Sequence, residues 1–121
     1  MATILAVDDS KAMRDMVNVI LRSAGHETFL FENGTEAINF ARTKTVDLVI
    51  ADVNMPGMTG INMVSKLRGI DHYSDIPILM LTTESSEYKK GKAKQSGANG
   101  WIAKPVTADR LLAAVNKVLP H

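Results

Sequence analysis

The chain contains no cysteine, which excludes a disulfide framework, a thiolate metal site and a cysteine nucleophile among its 121 residues. This composition is compatible with the reducing cytoplasm, where we expect the protein to act. Long apolar runs are also missing, since none approaches the roughly 20 residues that a helix needs to cross a bilayer. The first residues lack a basic segment followed by a long apolar stretch, so we expect neither a secretory signal nor membrane insertion.

An excess of charge of either sign is absent as well. The 14 Lys and Arg residues and the 13 Asp and Glu residues leave a formal net charge of +1, which provides no general attraction to nucleic acid. We therefore expect no direct nucleic-acid binding. The hydrophobic fraction of 45% is ordinary for a globular protein, and the length predicts one domain over residues 1–121 with no separate output domain.

Five short apolar runs, rich in Val, Ile and Leu, predict β-strands that are buried on both faces. They cover residues 3–7, 28–31, 48–51, 78–81 and 101–103. Segments with helical spacing separate these runs. The alternation of five strands with five helices predicts right-handed crossovers and a parallel sheet covered on both faces. The fold class is therefore α/β and doubly wound, with the second strand at an edge of the sheet.

Sequence signals also mark several helix boundaries. Asn33 and Glu36 have capping-box spacing and predict a second helix that runs to about Thr43, while Thr107 is the predicted cap of the last helix. The fourth helix, over residues 85–96, contains an interior glycine and four lysines, so we expect it to be the least stable helix. Its lysines fit either a solvated basic face or a mobile surface that docks an acidic partner.

Polar residues stand at the ends of four predicted strands. They are Asp8 and Asp9, Asp52, Thr82, and Lys104. Because the carboxyl ends of parallel strands lie at one edge of the sheet, these side chains should meet where open α/β sheets bind ligands. Converging carboxylates repel one another, and a small set of oxygen ligands suits Mg²⁺. A site with Mg²⁺, an ammonium, a hydroxyl and a carboxylate has the groups for phosphoryl transfer, with Asp52 as the nucleophile.

The chain resembles the receiver domain of two-component response regulators, and most closely its single-domain, CheY-like chemotaxis members. The resemblance covers essentially the whole chain in order. It is carried by residues 7–10 (VDDS), 52–60 (DVNMPGMTG), 81–84 (LTTE) and 100–105 (GWIAKP). This resemblance implies a flavodoxin-like sheet with the strand order 2-1-3-4-5.

The resemblance also implies roles for the residues at the strand ends. Asp52 is the implied phosphoacceptor. Asp9, Asp52 and the backbone carbonyl of Asn54 are implied direct ligands of Mg²⁺, with Asp8 acting largely through water. Each of these roles is carried over from the family motif to the matching position of this chain.

Further positions are implied to contact the phosphoryl group or to respond to it. Thr82 and Lys104 match residues that contact the phosphoryl oxygens, and Trp101 matches an aromatic side chain that reorients with the threonine. The peptide bond between Lys104 and Pro105 is expected to be cis. Three positions match those that tune the lifetime of the acyl phosphate: Asn54, Thr83 and Glu84.

The implied function is that of a phosphoacceptor signalling protein, not of an enzyme beyond its own phosphorylation from a phosphodonor and its own dephosphorylation. Implied partners are a chemotaxis histidine kinase, a flagellar motor switch protein and a phosphatase, with the regulator itself a monomer. A phosphate sink or a phosphorelay shuttle is the alternative function. An aspartate-nucleophile phosphatase is less favoured, because such enzymes need an Asp two residues after the nucleophile, where this chain has Asn54.

Overall fold

The computed structural model describes residues 2–83, 91 and 97–119, and a sheet of five parallel strands forms its centre. The strands are β1 (Thr3–Val7), β2 (Glu27–Phe31), β3 (Leu48–Asp52), β4 (Ile78–Thr82) and β5 (Gly100–Ala103). Their order is β2-β1-β3-β4-β5, which confirms the expected topology and the edge position of β2. Asp52 and Thr82, expected just after their strands, are the last strand residues because they still pair with Leu81 and Ala103.

Helices cover both faces of the sheet. The α-helices of the described ranges are α1 (Lys11–Ser23), α2 (Gly34–Ala41), α3 (Gly60–Arg68) and α4 (Ala108–Val118), and a 3-10 helix spans Asp71–Tyr73. The helix predicted over residues 85–96 lies outside the described residues, apart from Gly91. The second helix ends at Ala41 and not at about Thr43, because the chain turns there and Thr43 N–H donates to the Phe40 carbonyl. Within these ranges, no helix is both long and apolar enough to cross a membrane.

Each of these four α-helices begins at a side chain that accepts a backbone N–H from the first turn. The capping bonds join Ser10 to Met13, Asn33 to Glu36, Thr59 to Asn62 and Thr107 to Arg110. The predicted caps Asn33 and Thr107 are thereby confirmed, and a cap of this kind typically stabilises a helix by about 1 kcal/mol. Ser10 and Thr59 fix the starts of the helices that follow β1 and β3.

The sheet separates two apolar clusters, because successive side chains of a strand face opposite sides. The cluster packed against α2 and α3 takes from the strands Leu5, Val7, Val49, Ala51, Ile78 and Met80. The cluster packed against α1 and α4 takes from them Ile4, Ala6, Leu48, Ile50, Leu79, Leu81 and Ile102. Burial on both faces is the reason that the inner strands β1, β3 and β4 have nearly continuous apolar sequences.

Arg68, the last residue of α3, ties together the chain segments that enter β4 and β5. Its guanidinium donates to the backbone carbonyls of Tyr73 and Gly97 at 2.8 and 2.7 Å. It also donates to the side-chain oxygen of Asn99 at 2.9 Å, and the same oxygen accepts the N–H of Ile78 at 2.8 Å. This network fixes the position at which the chain enters the last strand.

Candidate functional site

The polar residues at the strand ends lie together at the carboxyl edge of the sheet. The strands β1, β3, β4 and β5 are neighbours in that order, so their ends place Asp8, Asp52, Thr82 and Lys104 side by side. Asp9 joins the group, since one carboxylate oxygen of each of the three aspartates lies within 4.8 Å of the others. Asp8 and Asp52 are each only 3% exposed, whereas Asp9 is exposed. The carboxylate cluster is therefore buried at its base and reaches solvent through Asp9.

Lys104 supplies positive charge to this cluster. Its ammonium nitrogen lies 3.1 Å from Oδ1 of Asp52, to which it donates a hydrogen bond, and 3.5 Å from Oδ2 of Asp8. Its backbone N–H donates to the carbonyl oxygen of Thr82 at 2.8 Å, which holds the chain after β5 against the end of β4. The Lys104–Pro105 peptide bond is cis, as expected. One ammonium among three ionised carboxylates still leaves the cluster negatively charged.

The backbone and side chain of Asp8 are held by several bonds. Its Oδ1 accepts the N–H of Ser10 at 2.9 Å, its carbonyl oxygen accepts the Arg14 guanidinium at 2.7 Å, and its N–H donates to the Phe31 carbonyl at 3.1 Å. The buried Oδ2 has no hydrogen-bond partner and only the longer ion-pair contact with Lys104. The contact of Arg14 was not predicted from the sequence, where the position of this residue early in α1 is the only signal that it could reach back to the end of β1.

The environment of Asp52 opposes its ionisation. Burial raises the pKa of the Asp52 carboxyl above its ordinary value, and the negative charge of Asp8 raises it further. The hydrogen bond and charge of Lys104 act in the opposite direction, as does a hydrogen bond from the backbone of Asn54. The net effect is a raised pKa, so burial and the charge of Asp8 together outweigh the stabilisation of the anion by Lys104 and Asn54.

The remaining predicted site residues lie around this cluster. Thr82 is buried at 4% exposure, one residue beyond the position paired with Asp52, while Thr83 is exposed. Asn54 has an exposed side chain and a backbone that reaches the Asp52 carboxylate. Trp101 lies in β5 opposite Met80 and is 37% exposed. The proposed tuning residue Glu84 lies outside the described residues.

The donor set fits a small, hard divalent cation. Three carboxylates supply oxygen atoms within 4.8 Å of one another, and one of these groups, Asp8, has a buried oxygen without a hydrogen-bond partner. Oxygen ligands in small number match the preference of Mg²⁺, which retains several waters in protein sites. The exposed side of the cluster, at Asp9, leaves room for such waters. The residues present therefore fit the magnesium site that the sequence predicts.

Gly60, the first residue of α3, lets this helix begin directly against the strand that ends in Asp52. Its N–H donates to the Val53 carbonyl at 3.0 Å, and a methyl group in its place would collide with the backbone oxygen of Asp52. Any larger residue must therefore displace either the helix or the end of β3. The sequence analysis assigned no role to this glycine.

Comparison with known proteins agrees with the geometry of the site. Residues 4–116 match the family described as response regulator receiver domain. Two relatives from Pseudomonas aeruginosa are each 35% identical: Protein PilH, over 98% of this chain and 98% of its own, and Chemotaxis protein CheY, over 95% and 94%. The solved structure of chemotaxis protein CheY4 from Vibrio cholerae is 45% identical with a TM-score of 0.95, over 98% of this chain and 99% of that one. The chain therefore belongs to the response regulator receiver family and is a CheY-like receiver domain of a two-component system.

Proposed function

We propose that Asp52 accepts a phosphoryl group from the phosphohistidine of a chemotaxis histidine kinase, and that the chain acts in the cytoplasm as a monomeric, phosphorylation-dependent regulator. The observation that carries this proposal is the setting of the Asp52 carboxylate. It lies buried at the end of a central strand, receives a hydrogen bond from Lys104 at 3.1 Å, and stands within 4.8 Å of the carboxylates of Asp8 and Asp9. The similarity to proteins named for chemotaxis supports the choice of pathway.

The proposed transfer forms one bond and breaks another. An oxygen of Asp52 attacks the phosphorus of the donor, the bond between phosphorus and the imidazole nitrogen breaks, and its electron pair remains on the imidazole. Lys104 already contacts Asp52, so its ammonium is close enough to neutralise the incoming phosphoryl oxygens. Because the ionised carboxylate is the nucleophile, the raised pKa of Asp52 predicts that the rate of transfer falls at acidic pH.

The residues that would hold Mg²⁺ are Asp8, Asp9, Asp52 and the backbone carbonyl of Asn54. The bound ion supplies positive charge that offsets the carboxylates and the phosphoryl oxygens. Asp8 contributes a buried carboxylate whose position is set by Ser10, and Asp9 contributes an exposed one. Asp8 thus lies at the buried base of the site, and Asp9 lies at its solvent side.

The proposed output is a change in affinity for a partner. Phosphorylation adds about −1.5 to −2 charges at Asp52, and Thr82 and Lys104 are the proposed groups that contact the added oxygens. Trp101 lies on the strand that pairs with the strand of Thr82, and it is exposed enough to change a docking surface if its side chain moves. The proposed partner is a flagellar motor switch protein, with a phosphatase ending the signal. Positions proposed to tune the lifetime of the acyl phosphate are Asn54, Thr83 and Glu84.

The test of the phosphoacceptor is labelling with a small phosphodonor such as phosphoramidate in the presence of Mg²⁺, followed by intact-mass and peptide mass spectrometry. The wild-type chain should gain one phosphoryl group, and Asp52→Asn should gain none. Asp15→Asn is the matched control, because Asp15 is an exposed carboxylate paired only with Lys11 at 2.8 Å. Labelling of Asp52→Asn at wild-type rate on another residue would refute the assignment.

A second measurement separates motor binding from the role of a phosphate sink or shuttle. The phosphorylated chain is titrated against a purified flagellar motor switch protein, with Trp101 fluorescence as the signal, since this is the only tryptophan. Tighter binding after phosphorylation supports motor regulation. Equal affinity of the two forms, together with rapid return of the phosphoryl group to a kinase or a histidine phosphotransfer domain, would support the alternative.

A further inference from the structure

The loop between β3 and α3 touches the candidate phosphoacceptor directly. It consists of residues 53–59, and the backbone of Asn54 hydrogen-bonds with the Asp52 carboxylate. At its start the N–H of Val53 donates to the Leu81 carbonyl at 2.9 Å, and Met55 is buried at 6% exposure in the apolar core. The position of this loop therefore decides where its backbone groups stand relative to Asp52.

The far end of the loop rests on α2. The side chain of Met58 packs along Gly34, the first residue of that helix, so closely that a β-carbon added at Gly34 would lie 2.8 Å from the Met58 sulfur. It would also lie 3.1 and 3.2 Å from the Cγ and Cβ atoms of the same methionine. Gly34 is buried, and Met58 is half-buried against the same apolar cluster as Met55. Three successive side-chain atoms thus fill the space that a larger residue at position 34 would need.

The glycine at position 34 is explained by this space and not by its backbone conformation. Among the described residues only Gly25, Gly57 and Gly97 have positive φ angles, so Gly34 adopts a conformation open to any residue. Alanine has the higher helix propensity, so helix formation alone does not favour glycine at this position. The contact with Met58 is the feature in the structure that disfavours a larger residue here, because the Met58 side chain would have to shift to admit a β-carbon.

We propose that Met58, seated on Gly34, is a positioning residue for the candidate site, holding the loop so that the Asn54 backbone remains against Asp52. This inference rests on the proposed function, because it assigns the contact to the phosphoacceptor and metal site. Gly57, with φ +78°, turns the chain between the two methionines, so that Met55 enters the core and Met58 reaches α2. The loop is then held by Val53 at its start and by Met55 and Met58 beyond it, and the exposed Asn54 lies between Val53 and Met55.

The test is a double-mutant cycle in the full chain, built from Gly34→Ala, Met58→Ala and the combination of both. Two readouts are taken for each protein: Mg²⁺ affinity by calorimetry, and the rate of Asp52 labelling by phosphoramidate. Thermal unfolding is recorded in parallel to report on stability alone. Two controls match the chemistry of the substitutions: Gly69→Ala, where a methyl group meets only the Lys66 carbonyl at 3.4 Å, and Met16→Ala, a half-buried methionine of the other apolar cluster.

We expect Gly34→Ala to displace Met58 and to slow labelling about tenfold, with a similar loss of Mg²⁺ affinity, since small misplacements of reacting groups have effects of this order. Met58→Ala should slow labelling about threefold because the loop loses its outer attachment. In the absence of Met58, the Gly34→Ala substitution should have almost no further effect, so the two changes are strongly non-additive. Gly69→Ala and Met16→Ala should leave both site readouts within about twofold of the wild type, whatever their effect on melting.

Two results would overturn the inference. One is that Met58→Ala lowers the melting temperature and leaves Mg²⁺ affinity and labelling unchanged, which would make the contact structural only. The other is that the effects of Gly34→Ala and Met58→Ala simply add, which would show that the contact between them does not control the site. If wild-type Asp52 takes up no phosphoryl group, the proposed function fails, and the Mg²⁺ affinities of the four proteins still decide the role of Met58.

Discussion

Replacement of Asp52 by asparagine should stabilise the protein when no divalent metal is present. The substitution keeps the size of the side chain and removes one of three carboxylates whose oxygens lie within 4.8 Å of one another. It also removes the nearer of the two anionic partners of Lys104 and leaves Asp8 at 3.5 Å. The sign of the effect on stability therefore depends on whether the carboxylate repulsion or the pairing with Lys104 is larger. The introduced carboxamide retains an oxygen that can accept a hydrogen bond from the Lys104 ammonium, which limits the stabilisation lost with the ion pair.

The distances give the magnitude. At an effective dielectric constant of about 20, two unit charges 4.8 Å apart, the upper limit of the separations in the cluster, repel by about 3.5 kcal/mol, so Asp8 and Asp9 together disfavour the Asp52 anion by at least about 7 kcal/mol before solvent screening. The Lys104 ammonium at 3.1 Å offsets about 5 kcal/mol of this repulsion. Solvent screening at the exposed Asp9 reduces the repulsion that Lys104 does not offset, so Asp52→Asn should be more stable than the wild type by about 1 to 2 kcal/mol. For a chain of this size that corresponds to an increase of about 5 °C in Tm.

The stabilisation should depend on pH with a defined sign. An aspartate in the unfolded chain ionises near pH 3.9, about its ordinary value, whereas the folded protein raises the pKa of Asp52 through burial and the charge of Asp8. The folded wild type therefore binds the proton more tightly, and it loses stability as the pH rises from about 4 through the raised pKa. Asp52→Asn has no such loss. Its advantage should be small near pH 4 and complete above the raised pKa.

The assay is thermal or urea unfolding of both proteins across this pH range in the presence of a chelator, with Asp15→Asn as the exposed control. Addition of Mg²⁺ should stabilise the wild type and reverse its disadvantage, because the ion binds the folded state. A lower Tm for Asp52→Asn in chelator near neutral pH would refute the reasoning, as would a difference that is the same at every pH. The first result would mean that the pairing with Lys104 outweighs the carboxylate repulsion, and the second that the difference in stability does not come from the ionisation of Asp52.

Two further predictions concern residues that support the site. Gly60→Ala should destabilise the fold by about 2 kcal/mol or more and slow Asp52 labelling, because the added methyl group collides with the Asp52 backbone oxygen. Gly69→Ala is the matched control. Equal urea midpoints for the two variants would contradict the proposed collision. Arg68→Gln should cost about 1 to 3 kcal/mol in urea unfolding, since it leaves several partly buried carbonyl groups without their donor. The exposed Lys66→Gln should change stability by less than about 0.5 kcal/mol.

Much of the architecture was predictable because burial on both faces of the sheet leaves continuous apolar runs in the sequence. The strand boundaries were correct to within a residue, and the caps Asn33 and Thr107 carried recognisable signals. The meeting of Asp8, Asp52 and Lys104 followed from a geometric rule, since the carboxyl ends of neighbouring parallel strands share one edge. The strand order itself came from the family resemblance, because alternation of strands and helices is compatible with more than one order.

Contacts between residues without a common periodic pattern were not predictable. Arg14 reaches the Asp8 carbonyl from α1, but Asp8 lies before the helix and outside its regular spacing. The packing of Met58 on Gly34 joins two segments that are far apart in the chain, and only three-dimensional proximity reveals why position 34 is glycine. The end of α2 was placed too late for a similar reason, because a turn that stops a helix without glycine or proline leaves a weak signal.

The Arg68 network has a consequence for protein engineering. On one side of residues 84–96 the chain is secured by Thr82, whose carbonyl accepts the Lys104 N–H, and on the other side by Gly97, whose carbonyl accepts the Arg68 guanidinium. Both bonds join described residues of the folded framework, one between the ends of β4 and β5 and the other between Gly97 and the end of α3. Exchange of the segment between them for one of equal length from another receiver should therefore leave these two bonds, and the entry of the chain into β5, in place.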